Sequence, residues 1–489
     1  MSRLFARVLG RADLLLFSVC AILTIDTLAS AASMGASWFT WWAITMALFF
    51  VPYGLITAEL GAAWPGEGGL YVWVREALGP RAGSLAAWFY WINNAYWIPS
   101  VYMVFAGTLH SIFLRPLLPA SLNQGAGSTW LEAGIAVVVT WLTVLVGVVR
   151  LEVSKWIPNL GGLVKVAIFV GLGAMGIAAL LAGRPPANDF SAAQFAPRWT
   201  DSLAFLPVLL YNALGFELMS SAGEEMKDPQ RDVPRVILIS GLLISMVYVL
   251  GVLGILLAVP LKDLSLVTGT WDALAVLGKM WGSAGDALVL LLGIGFLYAC
   301  VANIVTWSLG VNRVAAAAAA EGALPTALGR LHPRFHTPHV AFAIMGVVST
   351  VLLLGNAAFA ASASNVFWLV FRLSGVCFLV SYLLAFPAFV VLRRRRPDHP
   401  RPYRMPGGFT VAVLAAGICW VFVAGACLLF FKPSGADQAA ALREVAVLAA
   451  ETLATLIVGL MLLPPPSLGG RDSKSDSCSG SPRTWQGRG

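Results

Sequence analysis

Apolar residues in this chain come neither in strict alternation nor in the narrow stripes of a half-exposed helix. They come in runs of about 20, the length that carries a helix across the hydrocarbon core of a bilayer. The runs predict twelve spans, over 13–35, 38–62, 82–112, 130–149, 156–182, 202–223, 234–259, 285–318, 338–356, 363–392, 409–431 and 441–463. In hydrocarbon the backbone must satisfy its own hydrogen bonds, and runs of this length do so as helices. The expected fold class is therefore all-α, a polytopic membrane protein with about twelve transmembrane helices.

Two of the runs are interrupted. ILTIDTLASAAS carries Asp26, and LPVLLYNALGFELMSSAGEEMKDPQRDVP carries Glu217. Each has small and polar residues where lipid favours leucine. A carboxylate at mid-membrane costs at least a few kcal/mol, so such an acid reads first as functional. The two interruptions open two series of five spans with similar order and length. That pattern predicts a 5+5 inverted repeat, whose broken helices mark the binding site of a secondary transporter. The expected organisation is a stub at 1–12, repeat one at 13–182, repeat two at 202–392, two further helices at 409–463 and a disordered tail at 464–489.

Composition and charge agree with this picture. The chain is 58% hydrophobic and 11% charged, whereas soluble domains are about a quarter charged. The net charge of +8 invites a nucleic-acid reading, but its placement excludes one. With the N-terminus inside, 23 of the 32 lysines and arginines fall on the cytoplasmic side and seven on the other, with Lys165 and Arg372 inside spans. This is the positive-inside bias, and it puts both termini in the cytoplasm. The Arg-rich run RRRRPDHPRPYR reads as an anchor near anionic lipid. The basic start of the chain leads into a retained first span rather than a cleaved signal. The six cysteines lack metal or disulfide spacing and read as core residues. No nucleophile motif, phosphate loop or zinc spacing is present, which argues against ATP-driven transport and intramembrane catalysis and implies no cofactor and no metal.

Five of the ionisable residues inside spans then need roles. Asp26, with Thr24, Thr27 and Ser30, fits an unwound stretch whose backbone holds a substrate, with the acid beside an amine or a proton. Glu217 lies among Asn212, Gly215 and Ser220, where Gly215 eases a break; it suits a group protonated in one state and ionised in another. Lys165, in GGLVKVAIFVGLG, is a built-in cation or proton carrier, or a snorkelling side chain. Arg372 must find a partner, and bracing between helices is favoured over substrate binding. Glu451 reads as structural or interfacial. Aromatics crowd the third span (Trp88, Phe89, Tyr90, Trp91, Tyr96, Trp97) around Asn93 and Asn94, which are placed to face a polar cavity. His110, His332, His336, His339 and His399 are expected at span ends or in loops, with no buried relay.

Four motifs resemble the amino acid–polyamine–organocation permeases. They are TAELGAAWPGEGGLYVWVREALGPRAG (Thr57 to Gly83), GFELMSSAGEEMKDPQRDVPR (Gly215 to Arg235), NRVAAAAAAEGALPTALGRLHPRFHTPHVA (Asn312 to Ala341) and RPYRMPGG (Arg401 to Gly408). The resemblance runs from about residue 10 to 463. It implies substrate held between the broken first and sixth spans, and it aligns Lys165 with a fifth-span lysine that stands where related folds bind sodium. Many members have a glycine-rich first break; here Ile25, Asp26, Thr27, Leu28 and Ala29 contain no glycine. The glutamate/γ-aminobutyrate exchangers also lack those glycines, and polyamine-uptake members carry an acid there. The latter also have third-span acids where this chain has Asn93 and Asn94.

The candidate substrate site is accordingly Ile25, Asp26, Thr27, Leu28, Ala29, Asn93, Asn94, Tyr211, Asn212, Gly215, Phe216 and Glu217, with Lys165, Glu217 and Asp26 as coupling groups. The expected function is a permease that moves amino acids or related amines across the plasma membrane by alternating access, as an antiporter or proton-coupled symporter. The expected partners are a small-molecule substrate, protons and membrane lipid, with no nucleic acid. A polyamine or organic-cation transporter is the nearest alternative. A non-transporting sensor or scaffold and a channel are the rivals from other classes.

Overall fold

A computed structural model describes residues 10–66, 68–149, 156–197, 205–225, 229–360, 362–433 and 438–463. The first crossing is split into α1 (Arg11–Ile22) and α2 (Leu28–Ala32). Next come α3 (Ser37–Ala63), a short α4 (Leu70–Leu78), α5 (Pro80–Leu114), α6 (Gly125–Val148) and α7 (Trp156–Leu181). The sixth crossing is split again, into α8 (Leu206–Tyr211) and a 3₁₀ stretch (Phe216–Glu225). It is followed by α9 (Pro229–Ala258), α10 (Gly269–Gly278), α11 (Gly282–Ala320), α12 (His339–Phe359), α13 (Ala363–Arg395), α14 (Gly408–Phe430) and α15 (Gln438–Met461). Ten helical segments among the described residues are long and apolar enough to cross a membrane. The two split segments bring the crossings to twelve, in the order the apolar runs predict.

Small residues decide how closely the helices pack, as they do where lipid supplies no hydrophobic drive between spans. On α7, a side chain at Gly162 would sit 2.6 Å from the Leu16 carbonyl oxygen of α1, and one at Gly176 would sit 3.2 Å from Gly254 of α9. These glycines draw α7 against both helices and carry Lys165, which is fully buried, to the first break. The outer faces keep leucine and valine exposed, among them Leu142, Leu242 and Val421, as suits contact with lipid tails.

Two helices escape a search for membrane-length runs. α4 and α10 have nine and ten residues, too few to span. α4 lies on the face where α1 begins, here called the near face, and buries Leu70, Tyr71, Trp73, Val74 and Ala77. Its polar edge ties distant elements together: Arg75 pairs with Glu321 at the end of α11, and Glu76 lies 2.8 Å from Arg396. Beside it, Glu59 at the end of α3 is paired with Arg393, lies 3.1 Å from Arg401 and accepts from the Met405 amide at 2.8 Å. His399 stacks on Trp64 at 4.3 Å. Two arginines of the run read as a lipid anchor are thus turned inward. They neutralise a buried acid that has no other way to leave water cheaply. Through this contact the second-span motif and the RPYRMPGG motif meet.

Candidate substrate site

Helix α1 stops inside the protein, which leaves its last carbonyls without intrahelical partners. Three other spans supply them. Lys165 Nζ donates to the Cys20 carbonyl at 2.5 Å, and Trp307 Nε1 donates to the Ala21 carbonyl at 2.8 Å. The Tyr248 hydroxyl lies 3.1 Å from the Ile22 carbonyl, lies 2.7 Å from Thr24 Oγ1 and accepts from the Thr24 amide at 2.8 Å. A cation at the C-terminal end of a helix also meets the negative pole of its dipole. The break is therefore a stable feature, held by α7, α9 and α11 together.

The second break is held from α3. Gly215 has φ +127°, a conformation that suits glycine, and a side chain there would press at 3.0 Å on both Ile22 and Trp307. The Gly215 and Phe216 amides both donate to the Tyr53 hydroxyl at 3.0 Å. That hydroxyl in turn donates to Glu217 Oε2, and Tyr90 donates to Glu217 Oε1 at 2.9 Å. Asn212 joins the two breaks, since its Oδ1 accepts from Thr24 at 2.8 Å and from Thr27 at 2.7 Å.

Asp26 is 1% exposed and is treated differently from Glu217. Its Oδ2 accepts from Trp97 Nε1 at 3.1 Å, while its Oδ1 has no partner in the protein. Among the described residues, neither carboxylate lies within salt-bridge distance of a base. Lys165 is close enough to act on Asp26 electrostatically, while its Nζ hydrogen-bonds the Cys20 carbonyl. Rings connect the two acids. Trp97, bonded to Asp26, lies 6.0 Å edge-on from Trp307 and 6.3 Å from Tyr211. Phe378 lies 5.3 Å from each of those two and 6.0 Å from Tyr90, which is bonded to Glu217. Such a wall of π faces suits the alkyl chain and the charge of an organic cation.

The other candidates divide. Thr27, Tyr211, Asn212, Gly215 and Phe216 meet at the two breaks. Leu28 and Ala29 pack instead towards Gly251 and Gly269, and Ile25 is buried in the apolar core. Asn93 donates to the Tyr90 carbonyl and accepts from Ser374 at 3.1 Å. Asn94 donates to Ser308 at 3.0 Å and lies 3.2 Å from the Met345 sulfur, while its Oδ1 has no partner in the protein. Arg372 donates to the Phe430 carbonyl and lies 3.6 Å from Glu444, bracing α13 against α14 and α15. His110 departs from expectation: it is buried between Glu132 and Asn123, each at 2.9 Å. It lies at a span end as expected, in the π-helical segment His110–Leu114 that closes α5, but its side chain is paired inside the protein rather than left without a buried partner. Among the described residues, no group of three metal-ligating side chains occurs. Tyr53 and Tyr248 were missed at the sequence level. Their signal was a lone tyrosine in mid-span, whose hydroxyl must find a partner.

A family model described as amino acid permease matches residues 9–450. The chain belongs to the amino acid permease family. It is 33% identical, over 80% of each chain, to a Lactococcus lactis protein named a probable agmatine/putrescine antiporter. It is 24% identical to the glutamate/γ-aminobutyrate antiporter of the same organism, over 79% of this chain and 76% of that one. It is 28% identical to a polyamine transporter of Oryza sativa, over 74% and 62%. This permease is thus a secondary transporter of amino acids or amines, integral to a membrane.

Proposed function

We propose that this permease exchanges cationic amines, of the diamine or guanidinium-amine class, across the plasma membrane with both termini in the cytoplasm. The observation that carries the reading is the pair of buried acids, one from each break, joined by rings and, among the described residues, without an ion-pair partner. A buried carboxylate without a directly paired charge is costly, and a bound organic cation supplies one. One cationic end meets the open oxygen of Asp26. The alkyl chain lies along Trp97, Trp307 and Phe378, and the other end is drawn towards Glu217. The third-span acids of polyamine-uptake members are not needed, because the second acid comes from the sixth crossing. Lys165 holds the end of α1 and sets the local charge against which protons and substrate balance. The name and identity of the Lactococcus antiporter support the same substrate class.

Counterflow in proteoliposomes tests this. Vesicles loaded with putrescine, agmatine, γ-aminobutyrate or leucine are offered labelled putrescine. Entry driven by the two cationic amines, and lost in Asp26→Asn, is the expected result. Exchange confined to γ-aminobutyrate or leucine would refute it.

A further inference from the structure

Asn303 is fully buried on α11, and neither its Oδ1 nor its Nδ2 has a hydrogen-bond partner. A complete amide without partners in a protein interior is costly, and such groups call for an explanation. The register of α11 against α1 shows what the amide faces. The two helices run antiparallel: α1 starts on the near face, and α11 ends there at Glu321, which is paired with Arg75 of α4. Thr306 contacts Cys20 at 3.4 Å, and Trp307 bonds the Ala21 carbonyl. Asn303 shares a helix face with both, three and four residues earlier. It therefore sits about 5 Å further along α1, a distance worth three to four helical residues. That step leads from Cys20 and Ala21 into the break at Leu23–Thr27. One turn beyond, Cys300 is within electrostatic reach of Asp26, which continues the same alignment.

Two unpartnered polar groups thus face one break, the Asn303 amide and Asp26 Oδ1. We propose that Asn303 is a substrate-reading residue, whose amide oxygen and Asp26 Oδ1 accept hydrogen bonds from the N–H groups of one cationic end of the substrate. The proposal rests on the reading of the site as an amine site. It adds that recognition is of N–H donors as well as of charge, and that the empty protein carries the stranded amide for the sake of the bound state.

This makes an unusual pair of effects testable in one variant. Asn303→Leu keeps the number and branching of the side-chain heavy atoms and removes the amide. Thermal unfolding of the purified protein is measured without substrate and across a putrescine titration, where bound ligand raises the midpoint. The expected result is a higher midpoint without substrate and an affinity for putrescine lower by about tenfold or more, as befits lost bonds to a charged group. Asn303→Ala, which leaves a gap instead, should show the same loss of affinity. A lower midpoint for the leucine variant with unchanged affinity would identify the amide as structural. Unchanged affinity in both variants would show that water alone serves it. Either result overturns the proposal while wild type still binds putrescine. Absence of binding by wild type to both putrescine and agmatine would overturn the amine site itself.

Discussion

Tyr53→Phe removes one oxygen and keeps the ring, so the stacking on Phe49 and the contacts with Phe216 and Tyr382 survive. What is lost is the junction between the sixth-crossing backbone and its acid. The hydroxyl accepts from the Gly215 and Phe216 amides and donates to Glu217. Each buried group left without its partner costs about 1–3 kcal/mol. Glu217 keeps its bond from Tyr90, which limits the loss at the carboxylate. The lower end of the range therefore applies, and three groups at about 1 kcal/mol each come to roughly 3 kcal/mol. If the formed break is what binds substrate, apparent affinity falls about 100-fold, since about 1.4 kcal/mol is tenfold. The assay is counterflow over a substrate titration, with Glu217→Gln alone and the double variant alongside. Because Tyr53 acts on Glu217 by direct contact, the two losses should overlap rather than add, with a coupling of about 0.5–3 kcal/mol. Wild-type affinity in Tyr53→Phe, or losses that simply sum, would refute the role assigned to this hydroxyl.

Three further substitutions probe the same frame. Lys165→Ala uncaps the Cys20 carbonyl and removes the charge near Asp26; exchange should slow and its pH profile change, and an unaltered rate and profile would count against a coupling role. Gly215→Ala places a methyl group 3.0 Å from Ile22 and Trp307 at a φ that disfavours side chains; a stability loss of about 1–3 kcal/mol and reduced exchange are expected in unfolding and uptake assays. Glu59→Gln leaves Arg393 and Arg401 without their counter-charge and should cost about 3–5 kcal/mol in thermal unfolding, whereas replacing Glu59 and both arginines by apolar residues should recover most of it.

Much of the architecture was legible from local chemistry. Twelve apolar runs became twelve crossings because membrane insertion depends on the summed hydrophobicity of about 20 neighbouring residues, and tertiary contacts add little to that sum. The two breaks were legible for the same reason, since Asp26 and Glu217 stand out against leucine and valine. Lys165 was legible as an anomaly, though not as the cap of a distant carbonyl. α4 and α10 were not, because nine or ten residues carry no membrane-length signal and their burial depends on neighbours from elsewhere in the chain.

What only the tertiary structure decided was which polar atoms meet. Trp97 and Asp26 are 71 residues apart, Tyr53 and Glu217 are 164 apart, and Glu59 and Arg393 are 334 apart. No local pattern encodes such distances. The sequence marked Asp26 and Glu217 equally as buried acids; assembly closed both oxygens of Glu217 with tyrosines and left one oxygen of Asp26 open. Hydrophobicity adds up along a chain, so sequence by itself determined the spans and their breaks. A hydrogen bond needs two partners within about 3 Å in the right orientation, and only the packed helices bring them there.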